Sequence, residues 1–337
     1  MGRIGGRTRA GLAAAASAAL LAACGIPTAE KPSQATVDAR VAAARRLAGD
    51  DLAMLMPLCE PQPATRTASG PQIDAALKKL VEAAAPEPGQ VFDNVWFVGS
   101  AWVSAWVIRT SEGLILIDAL NNALEARALI EGGMAKLGLD PAQLRYLIVT
   151  HGHGDHYGGA RYLVEKYRLR VVASELDWRM METQLEFSSS VWGAPPQRDI
   201  AVKDGDTLTL GDTTIRLYLT PGHTVGTLSP VFDVKSGGRT HAALLWGGTA
   251  FNFGRDLGRL ESYAAAADRM RGIAQRQPID VLMSNHPGWD GTLKKMQAMR
   301  AQGGRVPNPF VVGPKVVDRA LATMAECARA QRDRFLM

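Results

Sequence analysis

Apolar runs separated by short polar turns divide residues 90–300 into strands and helices. Runs at 91–98 and 105–110 read as strands, and Ser111-Glu112-Gly113 turns the chain into a third at 114–118. Helical spacing predicts a helix over 123–137, after which Pro141-Ala142-Gln143-Leu144 leads into a β-branched strand at 146–149. A helix at 159–167, a strand at 169–173 and a helix at 175–182 follow. Residues 204–219 alternate apolar and polar positions around Gly211-Asp212, the mark of a hairpin. A strand at 241–246, a helix at 261–275, a buried strand at 279–284 and a last helix at 315–332 complete the pattern. A meander followed by alternating elements implies sheets covered by helices, a mixed α/β architecture.

Upstream, 37–55 and 73–85 also carry apolar residues at helical spacing, and the proline-rich stretch 57–63 ends the first of them. A segment of about 60 residues with two helices buries little on its own. Residues 24–89 are therefore read as a tether and a helical arm packed on the main domain, 90–300, with 301–337 a C-terminal helix packed on the same domain. Residues 1–23 stand apart. Arg3, Arg7 and Arg9 precede an apolar run at 12–21, and Leu21-Ala22-Ala23-Cys24 follows. The run is too short to span a bilayer. The site resembles the lipobox of bacterial lipoproteins, which makes Cys24 the expected lipidation site and places the chain in the periplasm on a lipid anchor. An ordinary cleaved secretory signal, giving a soluble periplasmic protein, is the alternative. Thr8 separates Arg7 from Arg9, so the plain secretory route is expected.

Composition changes this picture little. The 337 residues are 47% hydrophobic and 21% charged, ordinary globular material. The formal charge of +5 falls to +2 without residues 1–23, which hold three arginines and no acid. Lys78-Lys79 and Lys294-Lys295 read as solvated helix faces, and no interleaving of aromatic and basic residues points to nucleic acid. A small molecule is the expected partner. Cys59 and Cys327 are the cysteines left after the processing site. In an exported chain they suggest a disulfide from the arm to the C-terminal helix, with two buried free thiols as the alternative.

The chemistry concentrates at the ends of predicted strands. Of six histidines, three crowd into Thr150-His151-Gly152-His153-Gly154-Asp155-His156, a strand-to-helix turn. Side chains two apart on extended backbone point the same way, so His151 and His153 can grip one metal. Gly152 and Gly154 let the chain curl and aim Asp155 and His156 at a second. Thr220-Pro221-Gly222-His223-Thr224 ends the hairpin and offers His223 to the first site. Asn285-His286-Pro287-Gly288 ends the strand at 279–284 and offers His286 to the second. Asp118 ends an apolar strand, either as a carboxylate that orients a metal-binding imidazole or as a cap on the next helix. Thr150 and Thr224 are expected beside the ligands. The irregular stretch 186–198 carries an exposed-looking Trp192 and reads as a lid or a surface connection. No G-x-S-x-G elbow exists, so a serine nucleophile is not indicated. His241 is read as exposed and without a role.

These residues together resemble the metallo-β-lactamase fold superfamily. The likeness covers roughly 91–299 and rests on Ile115-Leu116-Ile117-Asp118, the H-x-H-x-D-H block, Pro221-Gly222-His223-Thr224 and Ser284-Asn285-His286-Pro287. It implies an αββα four-layer sandwich and two Zn2+ ions, one held by His151, His153 and His223, the other by Asp155, His156 and His286. With no cysteine ligand, the set looks most like the third subclass of metallo-β-lactamases. The activity implied is hydrolysis of amide or cyclic amide bonds by a zinc-generated hydroxide, with Asp155 orienting it or shuttling a proton. Lactone, ester or phosphoester hydrolysis is the alternative, and a non-catalytic zinc-binding lipoprotein a further one. Where that subclass usually has Asp-Ser, this chain has Trp246-Gly247-Gly248-Thr249. Thr249, Trp192 and Trp102 are the candidate substrate contacts.

Overall fold

The computed structural model describes residues 31–303 and 307–337. The signal segment 1–23, Cys24 and most of the tether lie outside the described residues. Among the described residues twelve strands form two sheets. In the first, β1 (Gly89–Phe92), β2 (Val95–Phe97), β3 (Trp106–Thr110) and β4 (Gly113–Ile117) run as an antiparallel meander. Then β5 (Leu144–Ile148), β6 (Arg170–Ser174) and β7 (Ile200–Val202) join in parallel. The second sheet consists of β8 (Thr207–Leu210), β9 (Thr213–Leu219), β10 (Leu228–Ser236), β11 (Arg239–Trp246) and β12 (Ile279–Ser284). There β11 and β12 pair in parallel and the other neighbours antiparallel.

The period-two alternation of each strand sorts residues to opposite faces and so builds the layers. Ile108, Ile115, Ile117 and Ile148 face Leu217, Phe232, Val234 and Leu245 across the gap between the sheets. Their neighbours Val107, Leu116 and Leu147 point outward under Ile130, Met134, Leu163 and Trp178 of the covering helices. On the far side Leu244 and Trp246 lie under the helices Leu257–Arg276 and Pro314–Leu336. The result is the expected four layers, helix, sheet, sheet, helix. Cys59 and Cys327 form a disulfide that ties the arm to the C-terminal helix. The helix Gln34–Ala48 packs on that same C-terminal helix, with Arg40 bonded to Asp333 at 2.5 Å.

Several elements differ from expectation. The first helix stops at Ala48 instead of 55, because Gly49 at φ 56° and two aspartates break it. Pro57 sits inside a following 3-10 turn, Ala53–Cys59. The single strand expected at 91–98 is a hairpin folded at Asp93-Asn94. β10, absent from the expectation, is the centre of the second sheet: Ser229-Pro230 interrupts its apolar run, and proline argues against a central strand. His241 is not an exposed bystander but bonds Asp280 at 2.6 Å. Lys295 is not on a solvated face; it turns inward above the Phe310 ring, 5.1 Å from its centroid.

Candidate metal centre

The parallel pairs β4/β5 and β11/β12 end on the same edge of the sandwich, and loops from these ends bring the chemistry together. Asp118 leaves β4 with φ 61°, and its amide donates to Ile148 O at the end of β5, 2.9 Å away. A left-handed turn at an aspartate is tolerated, and here it swings the carboxylate under the histidine loop. Thr150 donates to it twice, from its amide at 2.8 Å and its hydroxyl at 2.9 Å, and His156 Nδ1 lies 2.8 Å from Oδ2. Asp118 therefore orients an imidazole and does not cap the next helix.

Five imidazoles and one carboxylate converge in two triads. His223 Nε2 lies 3.0 Å from His151 Nε2 and 3.2 Å from His153 Nδ1. His156 Nε2 is 3.2 Å from His286 Nε2 and 3.2 Å from Asp155 Oδ2, which is 3.6 Å from His286. Ligands about 2.0–2.1 Å from a tetrahedral zinc stand about 3.3–3.4 Å apart, so both triads have the spacing of a zinc shell. His151 also falls within 4.8 Å of Asp155 and His156, which makes the two triads adjoin.

The opposite nitrogen of every ring is occupied by an oxygen. His151 Nδ1 faces Gly247 O, His223 Nδ1 faces Ala250 O and His286 Nδ1 faces Trp102 O, each at 2.7 Å. His156 has Asp118, and His153 Nε2 has Glu186 at 3.2 Å. A carbonyl can only accept, so each of those three rings carries its proton on the outer nitrogen and turns a bare lone pair inward. Burial, then repulsion from the neighbouring rings, holds the His151 imidazole well below its usual pKa, and burial does the same to His223. His286 is pushed down to about 4, chiefly by burial. Burial also disfavours charge on His156, but Asp155 and Asp118 outweigh it and raise the ring to about 10. Asp155, though buried, is drawn below the usual carboxylate range by His156. Converging lone pairs with this donor set fit a pair of divalent cations of the zinc type, whose entry would displace the His156 proton.

Sequence reasoning missed four residues that brace the site. Asp177 is buried and accepts from the Gly152 amide at 2.8 Å, the Thr224 hydroxyl at 2.8 Å and the Gly226 amide at 3.0 Å. It thereby pins the H-x-H loop to the His223 loop, and Thr224 serves that link. Glu186 bonds His153 and is gripped by Arg259, at 2.8 and 3.3 Å; Arg259 also donates to the carbonyls of Gly222 and His223. Asn285 donates to Thr150 Oγ1 and to Gly247 O. In the sequence Asp177 looks like an ordinary acid in a helix's first turn, and Arg259 like a surface charge. Gly248 allows the close approach here, since a Cβ there would stand 2.7 Å from His223 Cβ.

A cavity of about 550 Å3 opens above the triads, reaching His153, Asp155, His223 and His286. Trp102 and Trp192 line it as expected; Trp192 is half-buried, its Nε1 donating to Asn121 Oδ1 at 2.9 Å. Thr249 does not: it is buried beneath the site, its hydroxyl without a partner among the described residues, while Ala250 and Asn252 reach the cavity instead.

A two-sheet sandwich with five histidines and an aspartate gathered at one edge defines a metal-site fold, and comparison with known proteins gives its family. The model of the metallo-β-lactamase superfamily matches residues 103–238. The subclass B3 metallo-β-lactamase BJP-1 of Bradyrhizobium japonicum is 32% identical, with a TM-score of 0.61 over 73% of this chain and 92% of that one. The FEZ-1 metallo-β-lactamase of Legionella gormanii shares the fold at 21% identity and TM-score 0.62, over 70% and 92%. A hydroxyacylglutathione hydrolase of Rhodopseudomonas palustris is 35% identical over 121 residues, 36% of this chain and 40% of that protein. The chain thus spans about two fifths of the length of such curated relatives. The chain belongs to the metallo-β-lactamase superfamily.

Proposed function

We propose that the chain is a dinuclear zinc hydrolase of acyl compounds. The supporting observation is the set of inward lone pairs: three buried rings donate from their outer nitrogens to carbonyls, which leaves the inner nitrogens bare, those of His151 and His223 3.0 Å apart and that of His286 3.2 Å from His156 Nε2. A cation held between them relieves that arrangement. His151, His153 and His223 would hold one ion, and Asp155, His156 and His286 the other. When bound, such ions supply a water that ionises near neutral pH and polarise the scissile carbonyl. The remaining work falls to the chain. Asp118, Glu186 and three carbonyls fix the rings, and Asp155, which reaches the cavity, steers the attacking water or carries its proton.

Cyclic amides come first among substrates, because the solved structures resembling this chain are described as β-lactamases. An ester, thioester or lactone is the second reading, favoured by a specific observation: among the described residues lining the cavity there is no lysine, arginine, serine or threonine to receive a carboxylate. Placement is part of the same proposal, a periplasmic protein anchored through Cys24, and the mass of the mature N-terminus tests it. The decisive experiment is metal analysis of protein purified without residues 1–23. A chelator-reversible assay on a penicillin, a carbapenem, a lactone and a phosphodiester follows. Two equivalents of zinc and restorable turnover are expected. Zinc without turnover of any of the four would leave a zinc-binding lipoprotein.

A further inference from the structure

The wall facing the metal centre comes from outside the sandwich. The helix Pro71–Val81 of the N-terminal arm lays Ile73, Leu77 and Leu80 along the cavity, and Phe187 and Trp192 of the irregular stretch 186–198 continue the same surface. The two pieces are fastened to each other. Asp74 Oδ1 accepts from the Ser189 hydroxyl at 2.6 Å and the Ser190 amide at 3.2 Å, and Oδ2 from the Ser190 hydroxyl at 2.6 Å. The Ser188 amide donates to Ala68 O at 2.9 Å. Leu80 stays 39% exposed, an apolar residue at the cavity that no described residue fully covers.

Charge is as informative as shape. Away from the candidate ligands, Asn252 supplies the polar side chain of the lining, and the nearest arginines are committed elsewhere. Arg259 is taken up by Glu186, while Arg66 lies 3.8 Å from Glu186 with its guanidinium over the Phe187 ring. An anionic group carried into this wall would lose its hydration without gaining a partner. An apolar group loses nothing and gains the wall.

Resting on the reading of the site as an acyl hydrolase, we propose that this cavity selects substrates whose non-reacting arm is apolar and uncharged, a medium-length acyl chain or an aryl group, and that the arm helix Pro71–Val81 is the specificity element. A carboxylate on that arm, as on glutathione or beside the nitrogen of a penicillin, is disfavoured.

Zinc-loaded chain lacking residues 1–23 is assayed on the p-nitrophenyl esters of acetate, hexanoate and decanoate, and on the hemiadipate and hemisebacate, in which a carboxylate replaces the terminal methyl of the six- and ten-carbon chains. A penicillin and its methyl ester make the parallel pair for a lactam. The expected result is kcat/KM rising about threefold per methylene until the wall is filled, carried by KM, with the carboxylate costing tenfold or more. Leu80→Lys, at a half-exposed position that tolerates the change in folding, raises KM for the decanoate at least fivefold at unchanged zinc content; Leu80→Met restores it. A flat chain-length profile, or preference for the carboxylated member of each pair, overturns this inference and leaves the hydrolase intact. Should zinc bind but no ester or lactam turn over, the hydrolase reading fails. The cavity is then judged in metal-free protein with the neutral fluorophore Nile red: displacement by methyl decanoate, but not by monomethyl sebacate, upholds the apolar selection, and absence of binding ends it.

Discussion

The floor and the wall of the cavity are made in opposite ways. The floor is buried, polar and over-determined: each candidate ligand ring is held by an oxygen on its far side, and Asp118 and Asp177 each accept from several donors on neighbouring loops. The wall is apolar, partly exposed and fastened through Asp74 and a few backbone bonds. Groups that must meet a metal within tenths of an ångström need rigid strand ends. A surface that only sorts substrates by polarity needs contact area, which an appended helix can provide.

The comparison breaks first at the floor. His153→Ala or His286→Ala is expected to reduce zinc-dependent turnover by about a thousandfold or more; near-normal kcat in either variant with one ion missing would sink the ligand assignment. Next comes Asp118→Asn, which keeps the shape but weakens the hold on His156 and Thr150. Zinc affinity should fall about 10–100-fold, read by competition with a chromophoric chelator, and an unchanged affinity would show that β4 does not position the ring. The disulfide ties the arm that carries the wall to the C-terminal helix. Cys59→Ser with Cys327→Ser should lower stability by about 2–5 kcal/mol, seen as a lower denaturation midpoint, while zinc stoichiometry stays at that of the parent. Loss of zinc along with stability would mean that the arm and the metal floor form one cooperative unit. The smallest effect belongs to the wall itself: Asp74→Ala should raise KM for long apolar substrates about threefold to tenfold and leave kcat alone. A drop in kcat instead would place the arm in the chemistry.

Legibility follows the same division. The H-x-H-x-D-H block was readable because its ligands are neighbours in sequence and glycine spacing shows how the backbone must curl. His223 and His286 were readable because each ends an apolar run at a proline or glycine turn. Asp177, Glu186 and Arg259 were not, since a single acid or base on a helix or loop looks the same in sequence whether it braces a metal loop or faces water. β10 was hidden by Pro230, whose propensity its two flanking strands override.

Thr249 and His241 show where local reading misleads. Position after a strand placed Thr249 at the site, yet it is buried and does not line the cavity; position at a strand start made His241 look exposed, yet Asp280 on the adjacent parallel strand bonds it. By itself the sequence determined the period of most strands, the histidine block and the residues able to join it, because those depend on spacing along the backbone. Only the tertiary structure decided which nitrogen of each ring faces inward, which carboxylates hold the loops, and that an N-terminal helix closes the cavity with an uncharged wall. Those properties depend on what lies opposite in space, and chains of very different sequence can place the same neighbour there.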